Sequence, residues 1–234
     1  TNAVFFALAI TAGSAQMASA ATAIPLTNAG FESDSVGSGS GGILTPAGWA
    51  LHDSESWTSY VGDGSWLLPS GIAGAHSGDQ YSLVFTFPGQ YSNIRQDTGL
   101  LWSSLSAGDT LTVGAWTTYR SDLAGTATIR FSLNDSDGSN LFSPATNATV
   151  GAAAGVWTQR SWTYTVTQEK IDQANSELWG AVDVQVGILN SGGGLEQTLF
   201  DDVSLVHSAI PEPSGIALGG LGLGLLVLRR KRCL

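Results

Sequence analysis

Four aromatic residues are the first that could do chemistry in this chain. Trp57 and Tyr60 stand just ahead of a glycine-bounded loop, Gly62–Gly71, and Trp66 sits inside it. Trp116 points away from an alternating Leu111, Val113, Ala115 face, with Arg120 further along its own side. Flat aromatic planes flanked by amides and carboxylates stack on the faces of sugar rings, and an exposed tryptophan without such a role is a solubility liability. These four are the candidate ligand-binding residues. Catalysis needs more than planes. The chain has no Gly-x-Ser-x-Gly elbow, no His-Glu-x-x-His motif and no phosphate-cradling glycine loop. His52, His76 and His207 have no metal-ligand spacing among them and read as surface or loop residues. Glycoside hydrolysis requires two carboxylates across a cleft; Glu32, Glu55, Glu169, Glu177 and Glu196 are available, and the sequence pairs no two of them. The expectation is a binding or structural protein, not an enzyme.

The last 24 residues carry a different chemistry, that of an address. Pro211-Glu212-Pro213 precedes an apolar run from Ser214 to Leu228, which stops at Arg229-Arg230-Lys231-Arg232. As a helix the run reaches about 22 Å, short of a hydrocarbon core of about 30 Å. Its five glycines (215, 219, 220, 222 and 224) each weaken a helix by about 1 kcal/mol relative to alanine. A short, glycine-rich transmembrane segment of this kind suits a transient stop. The cations hold its end on the cytoplasmic side, leaving the residues before Pro211 outside. At the other end, Ala3–Ile10 is apolar and Ala18-Ser19-Ala20 offers a small-x-small cleavage site, with Ala21-Thr22-Ala23 as a second. Residues 1–23 therefore read as part of a signal peptide without its basic start. Cys233 is the single cysteine, so the body holds together without disulfides.

Residues 24–207 are enough for one all-β domain, with 208–234 as the tail. Ahead of Pro211 stand 5 basic and 18 acidic residues, which argues against nucleic acid and anionic membrane surfaces as partners. Period-two alternation recurs over Gln80–Phe87, Thr110–Arg120, Thr126–Leu133, Trp157–Val166, Ala181–Leu189 and Thr198–Val206. Gly, Asn, Asp and Ser turns separate these runs, and Gln168–Ser176 is the one helix candidate. The pattern predicts an antiparallel β-sandwich or jelly roll, with a core drawn from Phe31, Tyr81, Phe85, Phe131, Trp162 and Phe200. Asp135-Ser136-Asp137-Gly138 lacks the closing glutamate of a calcium loop and reads as a hairpin turn.

Two resemblances follow from these residues. The tripeptide, apolar run and basic stop resemble, in order, the three parts of the PEP-CTERM sorting signal of Gram-negative bacteria. That implies a membrane-embedded, exosortase-type processing enzyme as partner, and delivery to the cell surface or an exopolysaccharide matrix after transient insertion in the inner membrane. Leu26-Thr27-Asn28-Ala29-Gly30-Phe31-Glu32 and Phe200-Asp201-Asp202-Val203-Ser204-Leu205, with Trp49 after Pro-x-Gly, the His76-Ser77-Gly78-Asp79 loop and Trp157, resemble galactose-binding-like jelly rolls, among them carbohydrate-binding modules. In that family the first and last strands lie together and often hold a structural calcium. The resemblance implies Ca²⁺ ligands at Glu32, at Asp201 or Asp202, and at oxygens of Ser77–Asp79. Converging carboxylates repel unless a hard cation takes their oxygens. Successive strand residues face opposite ways, so Asp201 and Asp202 reach one ion together only if a bulge intervenes; Asp201 is the favoured ligand. The expected function is an exported, non-catalytic, carbohydrate-binding sandwich, with a purely structural or adhesive matrix protein as the alternative.

Overall fold

Apolar residues at every second position of an extended backbone give each strand one face to bury, and the strands of this chain bury theirs by pairing into two antiparallel sheets. The computed structural model describes residues 20–34, 41–43, 45–51, 60–63, 74–120, 127–134, 140–142, 146–147, 155–190, 194 and 196–210. Residues Ala21–Ala209 form a compact unit. Its strands are β1 (Ala21–Ile24), β2 (Gly41–Ile43), β3 (Ala50–Leu51), β4 (Tyr60–Asp63), β5 (Gln80–Thr86), β6 (Tyr91–Leu101), β7 (Thr110–Tyr119), β8 (Ala127–Asn134), β9 (Asn140–Phe142), β10 (Thr146–Asn147), β11 (Thr158–Thr165), β12 (Ala181–Asn190) and β13 (Glu196–Ser208), with α1 at Gln168–Ser176.

Among the described residues, sheet A runs β11-β7-β13-β5-β4-β2 with β1 also on β13, and sheet B runs β10-β8-β12-β6-β3 with β9 on β8. From β5 to β8, and again from β11 to β13, the chain changes sheet at every strand. The two inner faces meet in one core: Leu111, Val113 and Ala115 of β7 and Phe200 of β13, against Ile129, Phe131 and Leu133 of β8 and Val182, Val184, Val186 and Ile188 of β12. Trp102 and Trp179 close one end edge-to-face at 5.2 Å. There α1 packs through Ile171 and Ala174, and the Thr167 hydroxyl caps it by accepting from the Lys170 N–H. Of the expected core, Phe31, Phe131 and Phe200 are central, and Trp162 packs at its edge. Tyr81 and Phe85 instead build a smaller cluster with Leu83, Leu199, Ala75 and Trp157, because odd positions of β5 face away from the second sheet.

Strand β6 has almost no apolar alternation, and a different bond fixes it. Gln96 projects inward, where its Oε1 accepts from Thr27 N at 2.7 Å and its Nε2 donates to the carbonyls of Thr27 and Gly48 at 2.8 and 2.7 Å. The amide thus replaces a strand neighbour for two loop segments. Opposite Asn93 of β6 stands Gly187 of β12; a Cβ there would lie 2.4 Å from Asn93 Cβ and from the Ser92 carbonyl oxygen. Gly187→Ala is expected to destabilise by about 1–3 kcal/mol through overpacking, read from the midpoint of urea unfolding. An unchanged midpoint would mean that β6 can move away at little cost.

Among the described residues no helix is long and apolar enough to cross a membrane. The expected transmembrane segment, the residues of the sorting tail and the expected leader up to Ser19 lie outside the described residues, as do Trp57 and Trp66. Tyr60 opens β4; its side chain also lies outside.

Candidate functional site

The loop after β1 and the last strand form the first candidate site. Left-handed backbone at Asn28 and Phe31 turns the chain back on itself, with Phe31 N donating to the Asn28 carbonyl. Asn28 and Asp34 clip the loop to Ser33 and Ala47 through side-chain bonds of 2.9–3.2 Å. The Ala29 carbonyl then accepts from Val203 N at 3.0 Å, which docks the loop on β13. At that point β13 is irregular: its register with β7 shifts between Asp201 and Ser204, and Asp202 adopts φ 45°. The bulge overrides strict alternation and brings both carboxylates to one group.

Asp201 is fully buried and accepts from the amides of His76 (2.9 Å), Ser77 (3.0 Å) and Asp202 (2.8 Å). Asp202 accepts from the Ser77 hydroxyl at 2.8 Å and touches His76 Nδ1 at 2.8 Å. Glu32 takes the next amides of the loop, Asp79 N at 3.0 Å and Gln80 N at 2.9 Å. Gly78 is required there twice over, by φ 58° and by a would-be Cβ 2.4 Å from Glu32 Oε1. Burial, reinforced by the charge of Asp202, pushes the Asp201 carboxyl up to about 6 against the pull of its three amides. Where a Cβ on Gly30 would sit, Asp202 Oδ1 lies at 3.3 Å, Asp201 Oδ1 at 3.7 Å and Ser77 Oγ at 4.0 Å. Any side chain at position 30 would thus crowd the two carboxylates and the Ser77 hydroxyl, and glycine leaves that approach open.

The structure thus brings together Ser77, Asp201 and Asp202, while Glu32 holds the next amides of the same loop, Asp79 N and Gln80 N, outside that group. Sequence reasoning missed His76, which groups with the two aspartates. It is no free loop histidine: its ring stacks on Trp116 with centroids 3.7 Å apart, and Trp157, tied to the Gly74 carbonyl, meets its edge. Trp116 is therefore half-buried, with one face of its ring occupied by His76 under the 74–79 loop. His207, the other described histidine, is held by Asp109 at 3.0 Å.

A second candidate site lies on the outside of sheet B. In register across β6, β12 and β8, the residues facing away from the core are Asn93, Arg95 and Asp97, then Asp183 and Gln185, then Arg130 and Ser132. An outward sheet face of this polarity is ordinarily wet, yet Asn93, Asp183, Gln185 and Ser132 are all buried. Arg95 pairs with Asp183 at 3.3 Å, and Arg130 lies over the Tyr91 ring at 5.7 Å. Both polar atoms of the Asn93 amide lack a hydrogen-bond partner among the described residues. Beside this layer, where β3 pairs with β6, a cleft of about 290 Å³ is lined by Gly48, Trp49, Ala50, Arg95, Gln96, Asp97 and Asp183. Its size is near the lower end for small-molecule sites. Nothing in the sequence marked these residues, since polar alternates along a strand read as solvent-facing.

Fold and sites together define an antiparallel β-sandwich with an acidic, oxygen-rich junction between its first loop and last strand. No family model matches the chain, and no curated protein matches it. Solved structures do. A cyclase from Fischerella sp. TAU in complex with 4-(1H-indol-3-yl)butan-2-one is similar at a TM-score of 0.62 and 18% identity, over 82% of this chain and 100% of that one. The Stig cyclase Fisc of the same organism gives 0.60 at 20% identity with the same coverage. Carbohydrate-binding-module sandwiches are also among the similar structures, including a xylan-binding domain from Paenibacillus barcinonensis at a TM-score of 0.43 and 11% identity, over 72% of this chain and 89% of that one. At these identities the likeness is one of fold, and a fold hosts many functions.

Proposed function

We propose that this chain is an exported, non-catalytic jelly-roll module that binds a glycan on the outer face of sheet B. The observation that carries the reading is the buried polar layer of Asn93, Arg95, Asp183 and Gln185 beside the cleft. Where this layer meets the cleft, the half-buried Arg95 guanidinium and the exposed Asp97 carboxylate offer a donor and an acceptor, which is what pairs with sugar hydroxyls. The Asn93 amide, whose polar atoms have no partner among the described residues, would supply both kinds at one point. Trp57, Tyr60 and Trp66 remain the proposed stacking planes. Asp201, Asp202 and Ser77, with Glu32 across Gly78, would hold Ca²⁺, which supplies positive charge that lets the paired acids stay ionised and staples the first loop to the last strand. The tail beginning at Pro211 serves sorting by an exosortase-type enzyme, which delivers the module to the cell surface or its polysaccharide matrix.

Affinity electrophoresis of the full chain through a panel of polysaccharides tests the glycan reading. One glycan class should retard the protein, and Asn93→Ala and Arg95→Gln should each weaken retardation at least tenfold with the fold intact by near-ultraviolet circular dichroism. Retardation unchanged in both variants would place the ligand elsewhere. A folded protein retarded by no glycan would leave a structural matrix component.

A further inference from the structure

The cleft beside sheet B holds an electrostatic imbalance. Asp97 of β6 and Asp183 of β12 stand directly opposite each other in register, on the face turned away from the core, and both line the cleft. Like charges opposite one another across a strand pair are destabilising. The one cation of the described lining serves only one of them: the Arg95 guanidinium meets Asp183 at 3.3 Å. Asp97 is exposed, and no cation among the described residues pairs with it. Its Oδ1 accepts from Gly99 N at 2.7 Å, in a turn where Gly99 adopts φ 70°. That bond holds the carboxylate in place, and its second oxygen makes no bond among the described residues.

The rest of the lining narrows what could balance Asp97. Gln96 is committed to Thr27 and Gly48, and the Trp49 indole N–H to the Asn28 carbonyl at 3.1 Å. What Trp49 and Ala50 offer the cleft is therefore apolar. A cation with an apolar body fits such a place. A divalent ion does not, because the Arg95 guanidinium already sits on Asp183 and repels it. Among the described residues the compact metal-type group is instead that of His76, Asp201 and Asp202. Two residues from Arg95 on the same face, the Asn93 amide is 1% exposed, and neither of its polar atoms has a partner among the described residues. From Asp97 to Asn93 is about 13 Å along the strand, longer than one sugar ring. A ligand reaching both is an oligosaccharide that presents an ammonium at one end and hydroxyls at the other. An anionic sugar would instead add a further negative charge beside two carboxylates.

Resting on the glycan reading above, we infer that the cleft selects amino sugars: it takes a glycan whose free ammonium pairs with Asp97, and Asp97 and Asp183 together reject uronates. Titration calorimetry of the full chain in mildly acidic buffer, where glucosamine is charged, tests it. The probes are a glucosamine tetramer, its N-acetylated counterpart, a tetragalacturonate and tetralysine. The glucosamine tetramer should bind saturably and at least tenfold tighter than the N-acetylated one, as a charged hydrogen bond allows, and the galacturonate weakest. Asp97→Asn can still accept from Gly99 N and relieves the opposed charges. It should fold at least as stably as the parent and bring the glucosamine and N-acetylglucosamine tetramers to equal affinity. Glu169→Gln, at an exposed carboxylate of α1, should leave the preference unchanged. A loss equal to that of Asp97→Asn would reduce the preference to attraction by the net charge of the chain and overturn the proposal. Tetralysine binding as tightly as the sugar would assign the cleft to a basic peptide and overturn it as well. Equal affinity of the parent for the two sugar tetramers would sink the amino-sugar assignment and leave the glycan reading standing. No binding of any sugar would sink both.

Discussion

Asp201→Ala is expected to cost about 3–5 kcal/mol of folding stability, the largest loss from any single side chain at the acidic junction. The side chain is fully buried and holds three backbone amides, those of His76, Ser77 and Asp202. Each buried donor left without a partner costs about 1–3 kcal/mol, and all three would be stranded together. For a domain of this size each kcal/mol shifts the melting temperature by about 2–4 °C, so the variant should melt roughly 6–20 °C lower by differential scanning calorimetry. Asp202→Ala is the control. That residue is partly exposed and loses only the Ser77 hydroxyl and the His76 ring, for about 1 kcal/mol. Equal effects of the two substitutions would show that the amides find other partners and that Asp201 is not the keystone of the loop.

The second large effect is a stability that falls with rising pH in chelator. The carboxyl of Asp201 moves up from an ordinary value of 3.8 to about 6 in the folded protein, so the folded state binds this proton more tightly than the unfolded chain. Its contribution is therefore fully present below 3.8 and lost as pH rises through about 6. The span corresponds to on the order of 3 kcal/mol. A cation shared by Asp201 and Asp202 opposes this loss, because it favours the ionised pair. Melting in chelator should be higher at pH 5 than at pH 7.5, and millimolar calcium should raise the melting temperature at pH 7.5 much more than at pH 5. Calcium acting equally at both pH values would detach the ion from Asp201. Zinc outcompeting calcium would assign His76 Nδ1 a ligand's role, since nitrogen suits the softer metal.

The sheets were legible wherever burial is one-sided. Val182, Val184, Val186 and Ile188 announce β12, Ile129, Phe131 and Leu133 announce β8, and the one helix candidate, Gln168–Ser176, is α1. Strand β6 was not legible. Its inward positions include Ser92 and Gln96, so the alternation carries no apolar signal, and what fixes the strand is Gln96 bonding to Thr27 and Gly48 far off in sequence. That strand carries Asn93 and Arg95, which is why the outer site was invisible as well. The acidic junction was visible as motifs. Its geometry depended on a bulge at Asp202 that strand periodicity cannot encode, and His76 joined it only through a loop folded over Trp116.

The position of β13 has a mechanical consequence. This strand runs for thirteen residues, is flanked in sheet A by β7 and β5, and carries β1 along its final residues. The described residues end at Ile210, two positions past this strand. The hydrogen bonds to its neighbours lie across a pull applied along the strand. They would be strained together in shear, not peeled away one after another. A force along β13 would thus be met by bonds to β7, β5 and β1 that share the load.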